Sequence, residues 1–173
     1  WLGHRHVAVM DGGLRRWLLL GLPTTTDPAP LRLAGDFAAR PDPGACADAD
    51  TTQAAARDPR RRVLDARAAE RYRGEVEPID PVAGHVPGAL NHPSSGVVAA
   101  DGRLLPPAEL ARAFAQSLGP VSAADTITMC GSGVTACHLL LAMEHAGLPG
   151  ARLYPGSWSE WSRDPARLVA RGR

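Results

Sequence analysis

The sequence predicts an α/β domain in which a parallel β-sheet is flanked by helices on both faces. Two observations lead there. From residue 60 to residue 154, short apolar runs alternate with helical patterns at the spacing of βαβ units, and buried parallel strands read as short apolar runs. The second is the run CGSGVTAC at residues 130–137, where an apolar segment passes through a glycine-rich loop straight into a helical pattern. In parallel sheets, ligands sit beyond the carboxyl ends of strands, and Cys130 falls at such an end.

In chain order, residues 7–10 read as a short buried strand, Asp11-Gly12-Gly13 as a turn, and residues 14–20 as a helix carrying Trp17 and ended by Gly21 and Pro23. Residues 23–50, rich in Pro, Asp, Thr and Ala, read as an extended linker that closes with a strand and a turn. The main domain spans residues 51–173. Residues 50–57 form a helix, 62–65 a strand and 66–72 a helix stopped by Gly74. A loop rich in Glu, Pro and Asp over residues 75–83 leads to a short strand at 89–91. A helix follows at 107–118, a strand at 126–129, a helix at 134–146 with Ala136, Leu139, Leu140 and Met143 as its core stripe, and a last strand at 151–154. Gly12 and Gly156 each precede a tryptophan by five residues, after a turn and an apolar run, and this weak internal repeat makes residues 1–22 the tail of a sister domain.

Composition narrows the function. Nineteen basic residues against eighteen acidic ones give a formal net charge of +1, which is no footprint for nucleic acid or an anionic membrane. All the basic residues are arginine. Three cysteines, an odd number in a long chain, argue against a disulfide framework and for a reducing compartment, so the cytoplasm is expected. No apolar run is long enough to span a membrane, and small-molecule substrates are favoured.

The loop 130–137 is read as a cradle for a sulfur anion. Cys130 precedes a helix whose first N–H groups lack intrahelical partners and whose dipole presents partial positive charge. Gly131 and Gly133 let the chain curl through positive φ, so that the amides from Gly131 through Ser132, Gly133 and Val134 to Thr135 converge, while Ser132 and Thr135 add hydroxyls. A helix terminus contributes about 0.3–1 kcal/mol, whereas hydrogen bonds to a charged group contribute about 1.5–3 kcal/mol each. The amides therefore dominate the dipole in favouring a Cys130 thiolate. A cysteine phosphatase uses a similar cradle but closes it with an arginine six positions after the cysteine, and Ala136 stands there.

The run VLDARAAERYRGEVEPIDPVAGHVPGALN (63–91), the loop CGSGVTAC and the tail LYPGSWSEW (153–161) together resemble the catalytic, C-terminal domain of tandem rhodanese-type sulfurtransferases, over residues 60 to about 172. Residues 5–22 resemble the end of that family's inactive N-terminal domain. The resemblance implies a rhodanese-like fold and a ping-pong reaction. In it Cys130 takes a sulfur from 3-mercaptopyruvate or thiosulfate as a persulfide and passes it to cyanide, a thiol or reduced thioredoxin, with no metal or organic cofactor. It also implies that Arg71 binds the donor's anionic group, and that Gly131-Ser132 fits the 3-mercaptopyruvate type. Family members of that type have a second arginine after the Glu-Pro pair; here Ile79 follows Glu77-Pro78, in a shorter loop, and Arg73 is the candidate substitute. A persulfide carrier or binding module without turnover of its own is the alternative, with the absent N-terminal body as its partner. Cys137 is expected to pack beside the core stripe, His85 and His92 to be structural, Trp158 and Trp161 to cap the core, and His138 and His145 not to hold a metal, since a helical pair wants i, i+4 spacing.

Overall fold

The computed structural model describes residues 1–31 and 34–172. Its centre is a four-stranded, wholly parallel sheet in the order β2-β1-β3-β4, with β1 at Arg62–Asp65, β2 at Leu90–Asn91, β3 at Thr126–Met129 and β4 at Arg152–Leu153. The central pair is in register from Arg62↔Thr126 to Asp65↔Met129, which brings Cys130 out at the carboxyl edge one residue beyond the level of Asp65.

Successive strand residues face opposite ways, so each face of the sheet needs its own cover. Leu64 joins one cluster with Leu110 and Phe114 of α4 (Pro107–Leu118) and Ala136 and Leu139 of α5 (Val134–His145). Val63, Ile127 and Met129 join the other with Ala55 of α2 (Ala49–Arg57) and the two tryptophans of α6 (Ser157–Trp161). The expected two-sided parallel sheet is therefore present. Asp48 caps α2 by accepting from the Thr51 amide at 2.8 Å, and the Pro107 start of α4 suits a helix whose first N–H has no partner.

Several boundaries differ from expectation. The helix expected at 66–72 is only α3 (Ala69–Tyr72). The two residues before it are taken: the Ala66 amide pairs with the Met129 carbonyl at 2.8 Å, and the Arg67 amide turns back onto the Asp65 carboxylate at 3.0 Å. In α5 the apolar run is nearly continuous, so its inward stripe is ambiguous from spacing; Ala142, not Leu140, completes the buried set. Cys137 is exposed rather than packed, lining an apolar groove with Cys46 and Leu140. The linker ends in a 3-10 turn, Pro43–Ala45, followed by a parallel bridge from Cys46 to Leu153.

The strand expected at 7–10 is absent. Val7 and Val9 are 77% and 67% exposed, because the segment has no strand beside it to complete its hydrogen bonds. The helix after it, α1 (Gly13–Leu19), is present and is tied to the domain by the Arg16–Asp101 ion pair at 2.7 Å. No described helix is long and apolar enough to cross a membrane.

Two glycines separate conformational need from steric need. Gly147, at φ +74°, ends α5 with open space where a Cβ would sit; Gly88, at φ +90°, would place a Cβ 2.2 Å from the Ala56 carbonyl of α2. Left-handed backbone at a non-glycine residue costs about 1–3 kcal/mol. Gly147→Ala is expected to lose stability within that range and Gly88→Ala distinctly more in urea unfolding; equal losses would contradict the close packing of residue 88 on α2.

Candidate active site

Cys130 immediately follows β3 and is 1% exposed. The N-terminus of α6 fixes its backbone on both sides. The Ser157 hydroxyl accepts from the Cys130 amide at 3.1 Å while donating to the Tyr154 carbonyl at 2.8 Å, and the Trp158 amide donates to the Cys130 carbonyl at 3.0 Å. Ser157 is held at φ +53°, the one non-glycine residue described with positive φ, so the strain sits directly against the cysteine.

After Cys130 the loop differs from expectation at one glycine. Gly133 is the left-handed residue, at φ +83°; Gly131 does not take positive φ. Gly133 also turns away from the pocket, where a Cβ would meet the Pro155 carbonyl at 2.8 Å, so it shapes the loop without lining the site. The first amide to close onto the helix is that of Cys137, on the Gly133 carbonyl at 3.2 Å. Among the described residues, the main-chain N–H groups of residues 131–136 have no acceptor, which leaves a run of uncommitted donors directly after the cysteine.

These residues floor a pocket of about 310 Å³ lined by Cys130, Gly131, Ser132, Val134 and Thr135 on the loop side. Arg71 lines it from α3. Its Nη2 donates to Glu77 at 2.6 Å and lies 3.4 Å from Asp80, whereas its Nε is buried without a hydrogen-bond partner and its Nη1 lies 3.5 Å from where a Cβ on Gly131 would stand. An unmatched buried donor costs about 1–3 kcal/mol, a cost that an incoming anion recovers.

Sequence reasoning missed the groups that hold Arg71. Arg67, 3% exposed, forks onto Asp65 through Nε and Nη2 (2.6–3.0 Å), donates to the Gly84 carbonyl at 2.8 Å and to Glu77 at 3.4 Å, and stacks on Trp158 at 4.7 Å. Glu77 thus lies between two guanidinium groups and also accepts from the Ile79 and Asp80 amides, each at 3.2 Å. Burial works to raise its carboxyl, but the Arg71 bond and those two amides outweigh burial and hold it below the usual glutamate value. Asp80 in turn accepts from the Ser159 hydroxyl at 2.7 Å, and the Ser159 amide donates to the Gly131 carbonyl at 2.9 Å. The signal available in the sequence was the Asp65-x-Arg67 pair at a strand end, followed by two carboxylates in a loop read only as polar.

The remaining candidates fall outside the pocket. Arg73 pairs with Glu75 at 2.7 Å in an exposed loop and does not substitute for a second binding arginine. His85 stacks on Tyr72 and bonds its carbonyl at 2.8 Å; His92 stacks on Phe114 and bonds Ser117 at 2.8 Å; burial pushes both imidazoles below their ordinary value. Trp158 and Trp161 are fully buried core residues. His138 and His145 line a surface groove with Met10 and Leu141, and among the described residues no group of three or more His, Cys, Asp or Glu is placed to hold a metal.

The family described as Rhodanese-like domain matches residues 48–164. The chain belongs to that family. It is 50% identical over 173 residues to a probable 3-mercaptopyruvate sulfurtransferase of Pseudomonas aeruginosa, covering 99% of this chain and 61% of that protein. It is 35% identical over 178 residues to the 3-mercaptopyruvate sulfurtransferase of Homo sapiens (99% and 58%), and 35% over 176 residues to the thiosulfate sulfurtransferase of Rattus norvegicus (99% and 59%). The chain therefore spans about three-fifths of the length of these curated relatives. The wild-type structure of EanB superposes with a TM-score of 0.87 at 23% identity, covering all of this chain and 42% of that one, which shows the shared fold.

Glu77→Gln keeps the shape and most hydrogen bonds but removes the charge between the two arginines. A carboxyl whose folded value is depressed contributes stability above its unfolded value, near 4.5, and loses that contribution as pH falls through the lower folded value. The variant is expected to be about 1–3 kcal/mol less stable near pH 7, with the gap closing below pH 4.5. A gap independent of pH in chemical unfolding would contradict the ionised Glu77.

Proposed function

We propose that this chain is a sulfurtransferase that carries sulfur on Cys130. The observation that carries the reading is a buried cysteine lining a pocket together with a loop of uncommitted amides and Arg71. With 3-mercaptopyruvate as donor, the Cys130 thiolate attacks the mercapto sulfur; an S–S bond forms, the C–S bond breaks, and the carbon keeps the electron pair as an enolate that takes a proton to give pyruvate. With thiosulfate the same attack releases sulfite. The persulfide, itself anionic, stays in the amides of residues 131–135 until an acceptor such as cyanide, a small thiol or reduced thioredoxin takes the outer sulfur and regenerates the thiolate. Arg71 orients the donor's anionic group with its guanidinium, whose Nη1 faces Gly131, while Ser132 and Thr135 offer hydroxyls. No step calls for a metal or cofactor.

The names of the relatives support sulfur transfer and leave the donor between 3-mercaptopyruvate and thiosulfate; Gly131-Ser132, which adds no cation beside the cysteine, favours the former. Since the chain spans three-fifths of those relatives, a persulfide carrier that turns over only with the rest of a longer protein is the second reading. Residues 1–22 then belong to a sister domain, a view supported by the shared Gly-to-Trp spacing of α1 and α6. Three free cysteines fit a cytoplasmic setting.

Intact mass after incubation with each donor is expected to show the gain of one sulfur in the wild type and none in Cys130→Ser. No gain with either donor rules out transfer; a gain without thiocyanate formation from cyanide supports the carrier. In steady-state assays Arg71→Ala is expected to raise KM for the donor about tenfold or more, the worth of a charge-assisted hydrogen bond, with a melting curve run in parallel to separate binding from folding.

A further inference from the structure

We infer that the Cys130 pocket selects sulfur donors that carry a single negative charge on an apolar body, and that Ile79 is the side chain that reads that body. The inference rests on the sulfurtransferase reading and names its substrate class. Three observations support it. The first is charge. The buried network around the pocket holds two arginines, 67 and 71, against three carboxylates, Asp65, Glu77 and Asp80, a formal net of −1. Every Arg67 nitrogen is already committed, so among these groups Arg71 is the one cation with nitrogens, Nε and Nη1, that have no hydrogen-bond partner. One such cation matches one carboxylate or one sulfonyl group; a second negative charge would face Asp80 and Glu77 with no further cation.

The second observation is the wall. Ile79 and Val134 both line the pocket while being 72% and 73% exposed, and Ala66 and Ala68 line it as well. Branched apolar side chains left in water at the mouth of a site gain from any ligand that covers them. Ile79 is held in place for this, because its amide is fixed by Glu77 at 3.2 Å while its side chain stays free. The third is size. At about 310 Å³ the pocket reaches the range that holds organic ligands, well beyond what a small inorganic dianion fills.

Thiosulfonates isolate the effect, because all transfer their outer sulfur in the same way: the Cys130 thiolate forms an S–S bond to it, the sulfonyl–sulfur bond breaks, and the sulfinate leaves with the electron pair. Benzenethiosulfonate is a monoanion with an apolar ring, methanethiosulfonate a monoanion with one methyl group, and thiosulfate a dianion with no carbon. Rates of thiocyanate formation would be measured with each for the 173-residue chain and for Ile79→Ser and Ile79→Arg. Comparing each variant with wild type, donor by donor, cancels the donors' own reactivity. Ile79→Ser is expected to lower kcat/KM for benzenethiosulfonate about tenfold, the scale of one hydrophobic group in a pocket, with a smaller effect for methanethiosulfonate and none for thiosulfate. Ile79→Arg is expected to raise kcat/KM for thiosulfate. An equal change with all three donors means that Ile79 only shapes its loop, and overturns the inference, as does an unchanged preference for the ring. If intact mass shows that no donor loads Cys130, the sulfurtransferase reading fails and this inference with it; loading without discrimination overturns this inference alone.

Discussion

The arrangement depends on a buried ladder of alternating charges that runs from the end of the sheet to the cysteine loop: Asp65 to Arg67, Arg67 to Glu77, Glu77 to Arg71, Arg71 to Asp80, and Asp80 through Ser159 to the Gly131 carbonyl. Buried ions cost several kcal/mol each to desolvate, and that cost is offset only where geometry is good and the remaining donors are satisfied. Arg67 meets this condition, with a carboxylate fork, a carbonyl and an indole face. Arg71 meets it on one side only. The ladder is thus closed at the sheet and open at the pocket, where an anion would complete it.

The same logic extends to the backbone around Cys130. The strand delivers Cys130, the register beside β1 sets it one residue beyond the level of Asp65, and α6 grips its amide and carbonyl through Ser157 and Trp158. With its own backbone spoken for, the residues after it leave their amides unpaired until Cys137 resumes helical bonding. Pre-placed donors cost no reorganisation when charge arrives, which is how a site stabilises an anionic intermediate. Two tryptophans buried beneath α6 keep that grip rigid.

Much of this was legible in the sequence, and the rest was hidden for physical reasons. Strands β1 and β3 and helix α4 fell where their apolar patterns put them, since each is bounded by polar residues, Pro or Gly and buried on cue. Cys130 and its loop were legible because few local sequences place a cysteine and two glycines between a strand and a helix. Residues 7–10 misled because an apolar tetrad states a preference for pairing, not whether a partner strand is at hand. Arg67, Glu77, Asp80 and Ser159 were illegible as a set: their meeting depends on the 75–83 loop folding back over α3 and on α6 arriving from 79 residues further along, which no local pattern encodes.

The central claim is that the guanidinium of Arg71 and the unpaired loop amides together hold an anionic sulfur chain on Cys130. A high-resolution crystal structure of the persulfidated chain with sulfite bound tests it most directly. The account expects the outer sulfur within hydrogen-bond distance of amides from the 131–135 loop and a sulfite oxygen on Nε or Nη1 of Arg71. A persulfide turned away from that loop, with sulfite bound elsewhere and the Arg71 edge still unpartnered, would contradict it.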